Sequence, residues 1–321
     1  MPLNTLGSLN NLGREKLGSK VDLWWRLEAA AVQQFKDDLV GGKFLPSDGP
    51  TAPEAVTVPA DVSPAGAALV VPDGAFLPLL ELWVELGLSR QQLLDPDLTT
   101  AQSLLMRAAN LLAQGEDLVI ILGAPALVLP QFAGGLGQVG TVGVRPAPVA
   151  PGLLYAANAA TAQRVDAIAP DQYGFNTFTA VVKARAQLIA RGHFGPLALV
   201  LPPIVYADVC RLDPVVQEAP LERIEPLAAR GVHATNALPN VLPPPPPPPP
   251  APAGVVPFVP QRYGLLLSLG GNPLDLVVGV NPNPTTTITQ ENPAGLTQVR
   301  MLTRLTARVK DARAIVRLDF Q

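Results

Sequence analysis

Five short segments, met in one order along the chain, constrain its fold more than any bulk property. They are GGKFLPSDGP from Gly41, LPLLEL from Leu77, GEDLVIILG from Gly115, HFGPLALVLPP from His193, and a close on VRLDF before Gln321. Each either stops a helical run at glycine or opens a short apolar strand. A chain punctuated this way interleaves helices with antiparallel strands, which is an α+β pattern.

Between these marks the elements are readable. From Val21 to Val40 the residues Leu23, Leu27, Ala31, Phe35 and Leu39 recur at every fourth position, an apolar stripe on one helix face. Ser19 can cap this helix, Gly41-Gly42 ends it, and the adjacent Trp24 and Trp25 point in different directions. From Pro46 to Pro78 the chain reads as an extended, projecting hairpin, too thin to bury itself on both sides. LPLLELWVELGL follows as a strand. A second helix is expected from Thr100 to Gln114, stopped by Gly115, with DLVIILG beyond it as a buried strand. That reading leaves Glu116-Asp117 in a solvated turn. A third helix spans Phe175–Arg191 and ends at Gly192. ALVLPP, apolar on both faces, is then a central strand. Helices at Val205–Leu212 and Leu221–Ala229 precede strands at Gly231, Gly264–Leu269 and Leu274–Val280. Two alternating runs close the chain, Leu296–Val309 and Ala314–Phe320, around Lys310-Asp311.

Two stretches read as insertions. Residues 124–170 are rich in Ala, Gly and Pro with no consistent period. Residues 240–260 include eight consecutive prolines, Pro243 to Pro250, a polyproline II rod of roughly 25 Å that suits a stiff spacer.

Composition narrows the function classes. Charged residues are 15% of the 321 and hydrophobic ones 48%, against about 25% charged in an average protein. So little charge favours burial of surface between copies. A net charge of −3 gives no footprint for nucleic acid. The single Cys210 excludes an internal disulfide framework and reads as a small buried residue on a helix. MPLNTLGSLNNLG lacks the basic start and apolar core of a signal peptide. Leu118–Val144 is uncharged, but Pro125, Pro130 and four glycines from Gly134 to Gly140 break any membrane span.

No constellation for catalysis emerges. Gly135-Leu-Gly137-Gln-Val-Gly140 spells a dinucleotide fingerprint, yet Pro146 and Pro148 deny it a following helix, and the next acid, Asp166, lies 26 residues on. His193 and His233 are too few and too isolated for a metal site or a hydrolytic triad. No metal and no cofactor are expected.

The ordered segments resemble those of encapsulins, bacterial shell proteins that share the fold of tailed-phage major capsid proteins. The resemblance covers the chain from about Asp22, the two insertions excepted. It implies an N-terminal arm and cargo-facing helix over 1–46 and an extended loop over 47–76. It implies a peripheral domain over 77–195 and 296–321, and an axial domain over 196–295. The implied function is a non-enzymatic shell subunit, self-assembled into an icosahedral cage in the cytoplasm. The cage would enclose a cargo enzyme held by its C-terminal peptide, a dye-decolourising peroxidase or a ferritin-like iron oxidase. Positions matching the peptide groove are Leu27, Ala31, Phe35 and Leu39, with Leu318 and Phe320 of the closing strand nearby. Gly42 stands where a basic residue often precedes the KF pair. VVQEAPLERI matches the loop lining the fivefold pore, which places Gln217, Glu218 and Ala219 at the channel. Gln91 stands at the position of a flavin-binding tryptophan, so no flavin is implied. The alternative within this fold is the major capsid protein of a tailed phage or prophage, whose scaffolding segment is longer than the roughly 20 residues before Val21. A soluble enzyme would need a convergent polar cluster that the sequence does not offer.

Overall fold

The computed structural model describes residues 21–52, 55–62, 75–129, 132, 142–144, 150–213, 217–238, 262–279, 283–291 and 296–321. The polyproline run, the Gly135–Gly140 motif, Ser19 and the tip of the projecting loop lie outside the described residues.

Helix α1, Val21–Asp38, forms where the apolar stripe predicts it. Its outer face is tied by i,i+4 bonds from Gln33 to Asp37 and from Gln34 to Asp38, both 2.8 Å. Gly41-Gly42 does not simply end it: Gly41–Phe44 is a one-turn helix, α2. Strand β1, Ser47–Asp48, leads to the projecting hairpin, of which β2, Thr57–Pro59, and β3, Phe76–Pro78, pair antiparallel at its base. Strand β4, Leu80–Ser89, is the expected strand. Ser89 then caps the short helix α3, Arg90–Leu94, through a capping box with Gln92.

Helix α4, Thr99–Leu122, overturns one expectation. It runs straight through Gly115 and takes up DLVIILG, so no strand forms there. Gly115 is a contact residue, because a Cβ in its place would sit 3.1 Å from Val142 of the neighbouring strand. The true stop is Gly123 at φ +64°, a backbone state that glycine enters without strain. Glu116 and Asp117 therefore lie in a buried helix rather than a solvated turn.

The chain continues through β5, Val142–Val144; α5, Leu153–Ala156; β6, Gln163–Val165; and α6, Phe175–Ala190. Strand β7, Leu197–Leu201, is buried along its whole length. Helices α7, Pro203–Val209, and α8, Pro220–Ile224, are shorter than expected. Cys210 follows the end of α7 and is exposed, not buried, because it falls in the turn that leaves the helix. Strands β8, Val232–Ala234; β9, Arg262–Ser268; β10, Leu274–Val278; β11, Thr285–Glu291; β12, Leu296–Val309; and β13, Ile315–Phe320, complete the chain.

The strands form two sheets and the hairpin. One sheet has the order β1-β10-β12-β4-β5, with β11 also paired to β12; the other runs β6-β13-β9-β7-β8. The two alternating runs at the end of the chain thus part company, β12 entering the first sheet and β13 the second. Helices α1 and α4 pack with the first sheet around one hydrophobic core. Helices α6, α7 and α8 close a second core over the other sheet. A third, small cluster of Val58, Leu79 and Val277 seats the hairpin base on β10.

Two helices begin on remote carboxylates instead of local caps. Asp117 of α4 accepts the N–H groups of Val40 and Gly41, at 3.0 and 2.7 Å, at the start of α2. Asp208 of α7 accepts those of Tyr173 and Gly174, at 2.7 and 2.8 Å, at the start of α6. Each anion satisfies orphan donors and meets the positive end of a helix dipole. The first contact also needs glycine: a Cβ on Gly41 would lie 2.6 Å from Cδ1 of Ile120.

Candidate functional site

The α1 stripe points inward. Leu27, Ala31, Phe35 and Leu39 are all buried in the first core, and a fully buried Leu or Phe stabilises by roughly 1.5–3 kcal/mol. Trp24 is buried with them and donates from Nε1 to Glu28 at 2.9 Å. Glu28 also accepts from the Thr286 hydroxyl of β11. The helix shows the outside a different row: Trp25, 51% exposed, with Ala29, half-buried Val32 and Lys36. Trp25 is thus the large apolar side chain that α1 leaves to solvent.

Leu318 and Phe320 are not brought to this helix's core. They are fully buried in the second core with Val181, Ala184 and Leu188 of α6. The cause is topological, since β13 pairs with β9 and β6 and so turns its apolar side chains toward α6. Phe320 also packs edge-on against Tyr173, ring centroids 5.0 Å apart.

At the pore-loop positions, Gln217 sits at φ +56° and its N–H reaches the Asp213 carbonyl at 2.8 Å. Asp213 in turn donates to the Glu218 carbonyl at 3.1 Å. The Glu218 carboxylate accepts from Arg223 Nε at 2.6 Å and pairs with Nη2 at 2.5 Å. Arg223 lies over the Phe175 ring, 5.1 Å from its centroid. Ala219 is buried and begins α8. Glu218 is therefore paired with a guanidinium of its own chain.

Sequence reasoning missed the charged groups that the fold gathers. Glu116 is buried, bonded to Thr303, and pushed up to about 8, mainly by loss of hydration. Asp117 rises to about 6 for the same reason, against the opposing pull of the Gly41 and Val40 N–H groups and of Lys43. On the other face of the first sheet stand Arg300, Arg304 and Arg308, four residues apart on β12. Arg300 pairs with Glu85, and Arg304 with Glu81 at 2.7 Å. Arg300 also lies 5.1 Å from the centroid of the Trp83 ring. The signal was present in the letters, because a spacing of four in a period-2 strand puts all three on one face.

Clefts open on the described surface. One of about 240 Å³ lies between the α1–α4 pair and the segment after β8 and is mixed in character, with Asp38, Asn110, Asp117 and Thr235 beside Val40 and Leu118 in its wall. Another, about 150 Å³ and apolar, lies between β4 and α4 and involves Leu86, Leu104 and Leu111. Neither gathers a nucleophile with a base. His193 faces Asp311 at 3.4 Å, and His233 tilts against Phe44 while its Nε2 meets the Arg230 carbonyl at 2.8 Å. Among the described residues no group of three or more His, Cys, Asp or Glu is placed to hold a metal ion. No described helix is long and apolar enough to cross a membrane.

Comparison with known proteins agrees with this architecture. Residues 151–243 match the Linocin_M18 family model, described as encapsulating protein for peroxidase. The chain is 27% identical over 247 residues to the type 1 encapsulin shell protein EncA of Myxococcus xanthus, covering 71% of this chain and 76% of that one. Its fold is similar to that of a virus-like particle from Pyrococcus furiosus, with a TM-score of 0.61 at 13% identity over 92% of this chain and 99% of the other. It is also similar to the SrpI encapsulin complex from Synechococcus elongatus, with a TM-score of 0.51 at 11% identity over 87% and 85%. The fold is that of tailed-phage major capsid proteins and encapsulins. The resemblance to encapsulin shell proteins read from the five segments is met by a family-model match and by a curated relative. These relatives are described as a shell protein, a virus-like particle and an encapsulin complex, and not as enzymes.

Proposed function

We propose that the chain is the shell subunit of an encapsulin nanocompartment, many copies of which close into an icosahedral cage in the cytoplasm. The observation that carries this reading is the 27% identity to a type 1 encapsulin shell protein, spread over 247 residues. The low charge fraction, 15%, supports it, because a subunit that buries several faces against its copies needs fewer solvated side chains. The lobe built on β7, β8, α7 and α8 gathers at the symmetry axes, where Gln217, Glu218 and Ala219 line the fivefold opening. With Glu218 paired to Arg223, that opening is close to neutral rather than cation-selective.

The cage encloses an enzyme whose C-terminal peptide docks on the inner surface beside α1. Leu27, Ala31, Phe35 and Leu39 form the floor beneath that contact, and exposed Trp25 offers its apolar edge. The described role of the matching family model favours a peroxidase as cargo over a ferritin-like oxidase. Gel filtration and negative-stain microscopy of the purified protein test the assembly. Round, hollow particles of uniform diameter are expected, and folded protein that elutes as monomer or dimer in ordinary buffers refutes it. Mass spectrometry of material released from native particles tests the cargo. Packaged DNA in place of an enzyme would instead identify a phage capsid.

A further inference from the structure

Arg308 uses every hydrogen-bond donor of its side chain. Nε donates to Asp275 Oδ1 at 2.8 Å and Nη2 to Asp275 Oδ2 at 2.7 Å, a forked pair with β10. The remaining donors turn to the segment that enters and forms the hairpin, starting with β1 at the sheet's edge. Nη2 also reaches the Asp48 carboxylate, while Nη1 reaches Asp61 Oδ2 at 2.5 Å and the Pro59 carbonyl at 3.3 Å. Asp48 precedes the projecting hairpin's first strand, and Pro59 and Asp61 lie on that strand and just past it. Lys310 joins from the other side, 2.7 Å from Asp275.

Arg308 is 5% exposed and Asp275 1% exposed, whereas the hairpin-side carboxylates reach solvent. The sheet half of the cluster is therefore fixed, and the hairpin half is what comes to it. Apolar contact there is slight: Val58 and Leu79 on Val277, with Ala55 and Leu77 partly buried beside them. Asp61 is held at φ +50°, with its carboxylate turned to the guanidinium.

We propose that Arg308 is an ionic pin that sets the direction of the projecting hairpin on the first sheet. One guanidinium holds the chain where it enters the hairpin and again where the first hairpin strand ends. With the Asp61 tether lost, the far end of β2 is left to its small apolar seat, since Ala60 N–H to Ala75 and Leu79 N–H to Val56 join the hairpin's two strands only to each other. The entry stays tied to the sheet by Thr51 N–H to Val278 and by the pairing of β1 with β10. A planar five-donor group is needed, because an ammonium cannot reach carboxylates on three segments at once.

Hydrogen exchange of the full chain, read by mass spectrometry, tests the pin, with variant and wild type compared in the same state of assembly. In Arg308→Lys and in Asp61→Asn, amides of residues 55–62 and 75–79 are expected to exchange roughly tenfold faster, while those of β4 and of β12 before residue 306 keep their rates. Asn tolerates the left-handed backbone at position 61, so this second variant leaves the fold intact if Arg308→Lys does not. Wild-type exchange at the hairpin root in Asp61→Asn overturns the proposal.

Discussion

Glu116 offers the sharpest test of how the first core is built. Its carboxyl is raised from 4.5 to about 8, so the folded protein keeps a proton that the unfolded chain has given up. Between those two values the native state binds more protons than the unfolded state, and stability falls as pH rises. The penalty is absent below pH 4.5, grows across the window, and is complete above pH 8. Asp117, raised to about 6, acts in the same direction but mostly below pH 6. The interval from pH 6 to 8 therefore isolates Glu116. Two pH units at about 1.4 kcal/mol each give roughly 3 kcal/mol. Glu116→Gln keeps a hydrogen-bonding partner for Thr303 and removes the titration. Thermal unfolding followed by tryptophan fluorescence at pH 6, 7 and 8 should show the wild type falling further than the variant. The gap between them should widen by on the order of 5 °C across the series. Parallel curves for the two proteins would refute the argument, since they would mean that the side chain ionises in the core as freely as in water.

Three further outcomes follow from the same packing. Trp24→Ala should cost roughly 3–5 kcal/mol in denaturant unfolding, while Trp25→Ala should change stability by less than about 0.5 kcal/mol, a contrast set by their burial on adjacent positions. Gly41→Ala should destabilise by roughly 1–3 kcal/mol through its contact with Ile120, measured as a shift in urea midpoint with an unchanged slope. Burial works to raise Asp275, but bonds and charge from Arg308 and Lys310 outweigh it and hold the carboxyl below its usual value of 3.8. Its contribution is therefore fully present above about pH 4 and lost as acid protonates the folded form. Asp275→Asn should make acid unfolding less steep at the low end, by circular dichroism from pH 5 to 2.

Local pattern carried much of the fold. The stripe of α1, the glycine after α6, the apolar run of β7 and the alternation of β12 each register a face or an end that the structure reproduces. Pattern failed where distant segments decide. Gly115 was read as a stop because glycine ends helices, yet here it admits Val142, and only the pairing of β5 reveals that. Asp117 and Asp208 cap helices 76 and 34 residues away at their closest contacts, and no local spacing can announce such partners. Period two in the final runs gave two strands but not which sheet each joins, and that choice moved Leu318 and Phe320 into the second core. Cys210 falls outside its expected helix because α7 ends at Val209, three residues short of Leu212.

The separation of β12 from β13 has a consequence for biogenesis. Strand β12 lies between β4 and β10 in one sheet, and β13 between β6 and β9 in the other. The first sheet cannot close until Val309 has left the ribosome, nor the second until Phe320 has, although chains fold from the N-terminus as they emerge. Until then each core lacks a strand and its apolar side chains stay uncovered, so the two late strands are what hides the surface through which nascent chains would stick to one another.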